Sequence, residues 1–125
     1  MWAANSGDGT VSVIETASSK VIQTFNVHTK HSNRLKFTND DKLVLISDPA
    51  ANELVVIDAT TRKFVKQINV GKGPGGILIA PGKERAYVAL AGDNAVAVID
   101  LHKLDVTERI PTGEGPDGLA WAAAH

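Results

Sequence analysis

Cysteine is absent from this chain of 125 residues, and aromatic residues make up only 5% of it. Without cysteine, disulfide bonds and thiolate metal sites are excluded. No apolar run approaches the roughly 18 residues that a membrane-spanning helix needs, and strand-like sequence follows Met1 at once, so we expect no signal peptide. No charge of one sign dominates, because the net charge is −1. We therefore expect no membrane span and no nucleic-acid partner.

One short pattern occurs three times in the sequence. Residues 10–17 read TVSVIETA, residues 53–60 read ELVVIDAT, and residues 95–102 read AVAVIDLH. Each copy is an apolar, β-branched run closed by an acid, and the three acids, Glu15, Asp58 and Asp100, lie 43 and 42 residues apart. A fixed period of this size is typical of repeat architectures. The runs lack helical periodicity, so we predict that the repeating unit is a small β-sheet.

Turn signals rich in Gly, Pro, Asn and Asp divide the chain into twelve predicted strands, in groups of three, four, four and one. Four-stranded sheets that repeat about every 40 to 45 residues are the blades of a β-propeller. We therefore predict an all-β fold: a single propeller segment of three four-stranded blades. The repeats are residues 1–27 with 113–125, 28–70 and 71–112, cut out of phase, so that the last strand, 118–122, completes a first blade.

The motifs of the third copy follow one another in a recognisable order. Residues 73–76 read GPGG, 81–83 PGK, 87–90 YVAL and 96–100 VAVID, and the first copy supplies WAAN at 2–5 and VSVIE at 11–15. In this order they resemble the YVTN-type β-propeller repeat, a WD-repeat-like family. The resemblance implies a bacterial or archaeal protein in the periplasm or at the cell surface. It breaks at residues 27–33 (VHTKHSN) and at residues 39–42 (NDDK), where one blade has drifted or has been adapted to a ligand.

Two glycine-rich segments, residues 71–76 and 113–118, match the pattern G-x-G-x-x-G. A dinucleotide site of this kind needs a helix directly after the glycines. Only a short apolar run follows Gly76 before Pro81, and Pro74 and Pro116 remove backbone donors from a phosphate cradle. Because the segments recur at the blade period, we interpret them as loops between blades.

We also interpret the three closing acids as structural, because they recur at the blade period. An acid at a strand end can accept hydrogen bonds from the backbone N–H groups of the following turn. No Ser-His-Asp arrangement stands out among the few histidines. We therefore predict a protein that is not an enzyme and needs no cofactor.

The loop after residue 27 contains the one basic cluster of the sequence. Loops between blades and the turns inside blades meet on the funnel face of a propeller, which makes them candidates for ligand binding. The candidate residues are His28, Lys30, His31, Arg34, Asp8, Asp48 and Asp93. His28 and His31, three residues apart, are weak metal candidates. The alternative is a solvated polar loop, which is the common state of such loops.

Three blades are fewer than the four to eight of typical propellers, so we expect the ring to be completed by a second copy or by further blades. A homodimer of six blades would pair the last strand of one chain with the first strand of the other. The predicted interface residues are Trp2, Ala3, Ala4, Asn5, Gly118, Leu119, Ala120 and Trp121. The predicted function is a binding or scaffold module. The alternative is an enzyme-associated propeller whose funnel face holds a metal or redox cofactor.

Overall fold

The apolar runs of the sequence form strands throughout the chain. The computed structural model describes residues 1–82 and 84–122, and these residues contain eleven strands and no helix. The strands are β1 (Trp2–Asn5), β2 (Thr10–Glu15), β3 (Lys20–Asn26), β4 (Leu35–Phe37), β5 (Leu43–Asp48), β6 (Glu53–Asp58), β7 (Phe64–Asn69), β8 (Pro74–Ile79), β9 (Arg85–Leu90), β10 (Ala95–Asp100) and β11 (Asp105–Pro111). No helix in the described part of the chain is long and apolar enough to cross a lipid bilayer.

The strands form three antiparallel sheets, which we call blades 1 to 3. Blade 1 has the order β1-β2-β3, blade 2 the order β4-β5-β6-β7, and blade 3 the order β11-β10-β9-β8. Within each blade, every strand pairs with the strand that follows it in sequence, so every blade is a simple up-and-down meander. The predicted all-β class and its division into three blades are confirmed.

Blade 2 buries both of its faces. Successive residues of a strand point to opposite sides of a sheet, and β5 divides its residues accordingly. Val44 and Ile46 belong to an apolar cluster with Val11 of blade 1, whereas Leu45 belongs to a second cluster with Val88 of blade 3. A buried side chain of this size contributes about 1.5–3 kcal/mol relative to its exposed state. Packing between blades therefore stabilises the arrangement.

Each blade has one irregularity in register at the same place. The pairing of the last two strands shifts between Val13 and Ile14, between Val56 and Ile57, and between Val98 and Ile99, always shortly before the closing acid. Such bulges increase the local twist of the sheet. The following turn contains one residue in the left-handed region in every blade: Ser19, Arg62 and Leu104, with φ of 56°, 60° and 55°. No glycine indicates this turn in the sequence.

The strand β8 begins earlier than expected. Pro74 and Gly75 were predicted to belong to the loop, but they form the start of β8. Proline is tolerated at the first residue of a strand, where its missing donor breaks no ladder hydrogen bond. The register shift between Pro74 and Ile77 absorbs the change.

The predicted twelfth strand is not formed within the single chain. Residues 118–122 have no regular secondary structure, and blade 1 has three strands. The segment before them lies beside blade 3, where the backbone N–H of Gly76 donates to the carbonyl oxygen of Asp117 at 3.0 Å. Trp121 lies near Tyr87, with 6.4 Å between ring centroids. Pairing of this segment with β1 of another copy stays a prediction.

Candidate functional site at the interblade loops

The loops between blades and the turns inside blades meet at one end of the sheets, which we call the loop face. The loops after β3 and β7 and the segment after β11 pack beside the turns at residues 6–9, 49–52 and 91–94. One backbone hydrogen bond recurs at each of these meetings: Val27 N–H to Gly9 O, Val70 N–H to Asn52 O, and Thr112 N–H to Asn94 O, at 3.0, 3.2 and 2.9 Å. The turns before β2, β6 and β10 therefore hold the chain directly after β3, β7 and β11, respectively.

Asp48 is the buried carboxylate of the loop face, with a relative exposure of 1%. Its Oδ2 accepts the backbone N–H of Lys30 at 2.7 Å, and its Oδ1 accepts that of His31 at 3.0 Å. The structure thus brings three of the predicted site residues together. The contact fixes the loop backbone, however, and both carboxylate oxygens are engaged in it.

The contact with Asp48 uses the backbone of this loop and leaves its basic side chains exposed. His28, Lys30, His31 and Arg34 are all exposed. The Arg34 guanidinium donates to the side-chain oxygen of the neighbouring Asn33 at 2.7 Å. A cationic group without a buried partner is available to an anion from solvent.

His28 has an unusual backbone conformation for its residue type. Its φ is 61°, in the left-handed region, and its N–H donates to the side-chain oxygen of Asn26 at 2.6 Å. The equivalent position in the next loop is Gly71, also with positive φ. A non-glycine residue in this region is strained. Histidine at this position therefore makes the loop less stable than glycine would.

The other two predicted carboxylates do not join this site. Asp8 accepts the backbone N–H and the hydroxyl of Thr10, so it stays inside its own turn. Asp93 accepts the backbone N–H of Lys72 at 2.9 Å, at the contact between blades 2 and 3. Asp93 therefore holds the second interblade loop much as Asp48 holds the first.

Two asparagines of the loop face were missed by sequence reasoning. Asn52 accepts the backbone N–H of Gly73 at 3.2 Å, and Asn94 accepts that of Gly115 at 3.0 Å. Both lie directly before a third strand, both have positive φ, and they are 42 residues apart. Their recurrence at the blade period was the available signal. Gly9 occupies the same position in blade 1, where a Cβ would lie 2.5 Å from the carbonyl oxygen of Thr29.

The predicted structural role of the closing acids holds for two of them. Asp58 accepts the N–H groups of Thr60 and Thr61, each at 2.9 Å. Asp100 accepts those of His102 and Lys103 at 2.8 and 3.1 Å. The N–H of Thr61 lowers the pKa of Asp58 most, and the N–H of Lys103 that of Asp100, because these bonds favour the charged carboxylate. For Glu15 no such bond occurs among the described residues.

The loop face has two further features. The hydroxyl groups of Thr29 and Ser32 are buried without a hydrogen-bond partner in the described structure. No group of three or more His, Asp or Glu side chains within residues 1–82 and 84–122 is arranged to hold a metal ion. The glycine-rich segment 71–76 leads into β8 and not into a helix, so it lacks the helix that a dinucleotide site requires.

The predicted interface residues lie at two places in the chain. Trp2 packs edge-on against Phe25 and Phe37, at centroid distances of 5.4 and 5.5 Å, in the cluster between blades 1 and 2. Asn5 donates to the hydroxyl oxygens of Thr10 and Ser12, and Ala3 and Ala4 are half-buried. Of the second group, Leu119 is half-buried, whereas Gly118, Ala120 and Trp121 are exposed.

Comparison with known proteins supports the fold. No protein-family model and no curated protein matches the sequence. Among solved structures, the hydrazine synthase of Kuenenia stuttgartiensis superposes with a TM-score of 0.87 and 25% identity, over 94% of this chain and 34% of that one. The WD40 repeats of RRP9 give a TM-score of 0.76 and 14% identity over 91% of this chain and 36% of that one.

A further match is the dihydro-heme d1 dehydrogenase NirN in complex with DHE, with a TM-score of 0.75 and 18% identity over 91% of this chain and 25% of that one. This chain therefore spans between a quarter and about a third of the structures that it matches. The matches below 25% identity bear on the fold alone. The three sheets are thus three blades of a β-propeller fold.

Proposed function

We propose that this chain is a non-enzymatic propeller module that provides a binding or scaffold surface within a closed ring. The observation that carries the proposal is the use of Asp48. Both of its carboxylate oxygens bind backbone N–H groups of the adjacent interblade loop, and one oxygen of Asp93 binds a backbone N–H group of the next loop. The loop face therefore uses these acids to hold its own backbone, which is what a scaffold requires.

The motifs favour the YVTN type of repeat within the broader propeller class. The segments GPGG, PGK, YVAL and VAVID of blade 3 carry this resemblance. On this basis we propose a bacterial or archaeal protein that works in the periplasm or outside the cell. Detection of the protein in a periplasmic or surface fraction, and not in the cytoplasm, would support this location.

The free edge of β1 is the place where a further strand could pair and help to close the ring. Blade 1 ends at β1, whereas blades 2 and 3 each have one more inner strand. The bond between Gly115 N–H and Asn94 is equivalent to the bond between Gly73 N–H and Asn52. The segment after β11 therefore leaves blade 3 in the same way as the segment between β7 and β8 leaves blade 2. We propose that residues 118–122 pair with β1 of a second copy, and vice versa. In a longer polypeptide, further blades would occupy the same place.

The mass of the assembly tests this proposal. The full chain is expected to scatter light as a dimer, at twice 13.2 kDa. A variant that ends at residue 116 should be monomeric or aggregated, because an unpaired strand edge is an aggregation template. The control ends at residue 122 and should stay dimeric. A folded monomer of the full chain, as stable as the variant that ends at residue 116, would refute the pairing.

A second candidate function is an enzyme-associated propeller that holds a metal or redox cofactor on the loop face. It is favoured by the similarity to hydrazine synthase and to NirN solved with DHE, and by the exposure of His28 and His31 on a strained loop. Metal analysis and titration with ferric haem would test it. Stoichiometric binding that is lost in His28→Ala/His31→Ala, but kept in His102→Ala, would overturn the scaffold proposal.

A further inference from the structure

A cleft of about 480 Å³ lies between blades 2 and 3, at the end of the sheets opposite to the loop face. The turn between β4 and β5 and the turn between β8 and β9 form its walls, together with the turn after β10. Its lining residues are Thr38, Asn39, Asp40, Lys42, Leu43, Ile79, Gly82, Glu84, Leu101 and His102. The volume is within the range of small-molecule sites, about 300–1,000 Å³.

The floor of the cleft is apolar and belongs to the core. Leu43, Ile79 and Leu101 are half-buried and pack against the buried cluster between blades 2 and 3. This floor is attached to the rigid part of the molecule. An apolar ligand group placed on it would remove the remaining exposed surface of these side chains from water.

One wall carries a carboxylate with a fixed position. The Oδ1 of Asp40 accepts the hydroxyl of Thr38 at 2.6 Å and the backbone N–H of Lys42 at 3.0 Å. These bonds, the hydroxyl first, lower the pKa of Asp40, so the group is ionised at neutral pH. Within the described residues both bonds are made to Oδ1, and Oδ2 is open to a donor from a ligand.

The two turns are held together across the cleft. The side-chain nitrogen of Asn39 donates to the carbonyl oxygen of Ala80 at 3.0 Å, so the wall with Asp40 has a defined distance from the wall with Ile79. Asn39 and Asp40 belong to the segment NDDK, where blade 3 has the ordinary turn PGK. The segment that differs from the repeat pattern therefore forms one wall of the cleft.

The described lining contains two carboxylates, and they differ in what they contact. Asp40 and Glu84 are acids, Lys42 is a base, and His102 contacts Glu84 through its Nε2. Glu84 is thus engaged by His102, whereas the Oδ2 of Asp40 makes no hydrogen bond within the described residues. A ligand that combines one ammonium group with an apolar body would match both the charge and the floor.

We propose that this cleft binds a small amphipathic amine, with its ammonium group on Asp40 and its apolar body on Leu43, Ile79 and Leu101. The lining residues that the structure describes all belong to blades 2 and 3 of one chain. The site is therefore independent of ring closure and of the histidines on the loop face.

The experiment titrates the ¹⁵N-labelled full chain with tryptamine and follows the backbone amide signals by NMR. Saturable shifts are expected for residues 38–43 and 101–102. The size-matched acid, indole-3-propionate, should bind at least about tenfold more weakly, because it lacks the charge-assisted hydrogen bond. Asp40→Asn should weaken tryptamine binding by about two- to fivefold, because Asp40 is exposed to solvent.

The matched control is Asp41→Asn, in the same turn but outside the lining of the cleft, which should bind tryptamine like the unmodified chain. Leu101→Ala should also weaken binding, through the loss of floor area. Equal affinity for the amine and the acid would overturn the proposal, as would shifts confined to other residues or no shifts at millimolar tryptamine. The comparison of amine with acid uses the unmodified chain, so it remains decisive if a variant fails to fold.

Discussion

The carboxylate of Asp48, at the end of β5, accepts the backbone N–H of Lys30 at 2.7 Å, 18 residues earlier in the chain. This bond joins a turn of blade 2 to the loop that enters the same blade. With the bond from His31 it leaves the buried carboxylate paired through both oxygens. The most irregular loop of the repeat pattern is thereby held in a defined conformation without the glycines and proline of the other loops.

Replacing Asp48 by alanine should lower the free energy of unfolding by about 2–4 kcal/mol, because it leaves two N–H groups of the loop without their acceptor. Urea unfolding followed by circular dichroism measures the change. The control is Asp93→Ala, which removes one bond at an exposed position and should lower the free energy of unfolding by about 0.5–1.5 kcal/mol. If both variants lost the same free energy of unfolding, the burial of Asp48 would not explain its contribution to stability.

Replacing His28 by glycine should raise the free energy of unfolding by about 0.5–1 kcal/mol. Glycine adopts the left-handed φ of 61° without strain, which stabilises the folded state. Part of this gain is offset because glycine has more conformational freedom in the unfolded chain. His31→Gly is the control, because His31 is not among the residues with positive φ. That variant should be destabilised. Thermal unfolding of both variants distinguishes relief of strain from a general effect of glycine.

Stability should depend on pH through Asp58 and Asp100. Their pKa values in the folded chain lie below the ordinary value of 3.8, so the unfolded chain takes up these protons first as the pH falls. Their contribution is therefore present above about pH 4 and is lost as the pH falls through the lowered pKa values.

Urea midpoints at pH 7, 5, 3 and 2 test this dependence. Asp58→Asn should be less stable than the unmodified chain at pH 7, and the difference should shrink at pH 2. Glu15→Gln is the matched control, because Glu15 occupies the same position in blade 1 and its carboxylate makes no bond to its turn among the described residues. A pH-independent difference for Asp58→Asn would show that the charge of the carboxylate is irrelevant.

Replacing Gly76 by alanine should displace the segment after β11. A Cβ at this position would lie 2.2 Å from the carbonyl oxygen of Asp117, and backbone cannot yield as a flexible side chain does. We expect a loss of about 1–3 kcal/mol in the free energy of unfolding. In a Trp2→Phe background the emission of Trp121 reports alone, and it should shift to longer wavelength if the ring leaves Tyr87. Gly113→Ala, with nothing within 4 Å of its Cβ, should leave both measurements unchanged.

The repeat pattern by itself determined the blades of this protein. Runs such as residues 53–58 and 95–100 are apolar on both faces, and a strand of that kind is stable only between two packed neighbours. The structural role of the closing acids was predictable because they recur at the same position in every repeat. The bonds of Asp58 and Asp100 to the backbone of their turns agree with this interpretation.

Tertiary structure decided which polar residues act together. Asp48 looked like a ligand group in the sequence, and only the fold shows that the N–H groups of Lys30 and His31 already occupy it. The cleft beside Asp40 was not predictable, because its walls come from turns about 40 residues apart, and local patterns say nothing about which turns meet. The positions of the strands depend on residues that are close together in the sequence. A site such as the cleft depends on how turns from different blades pack together.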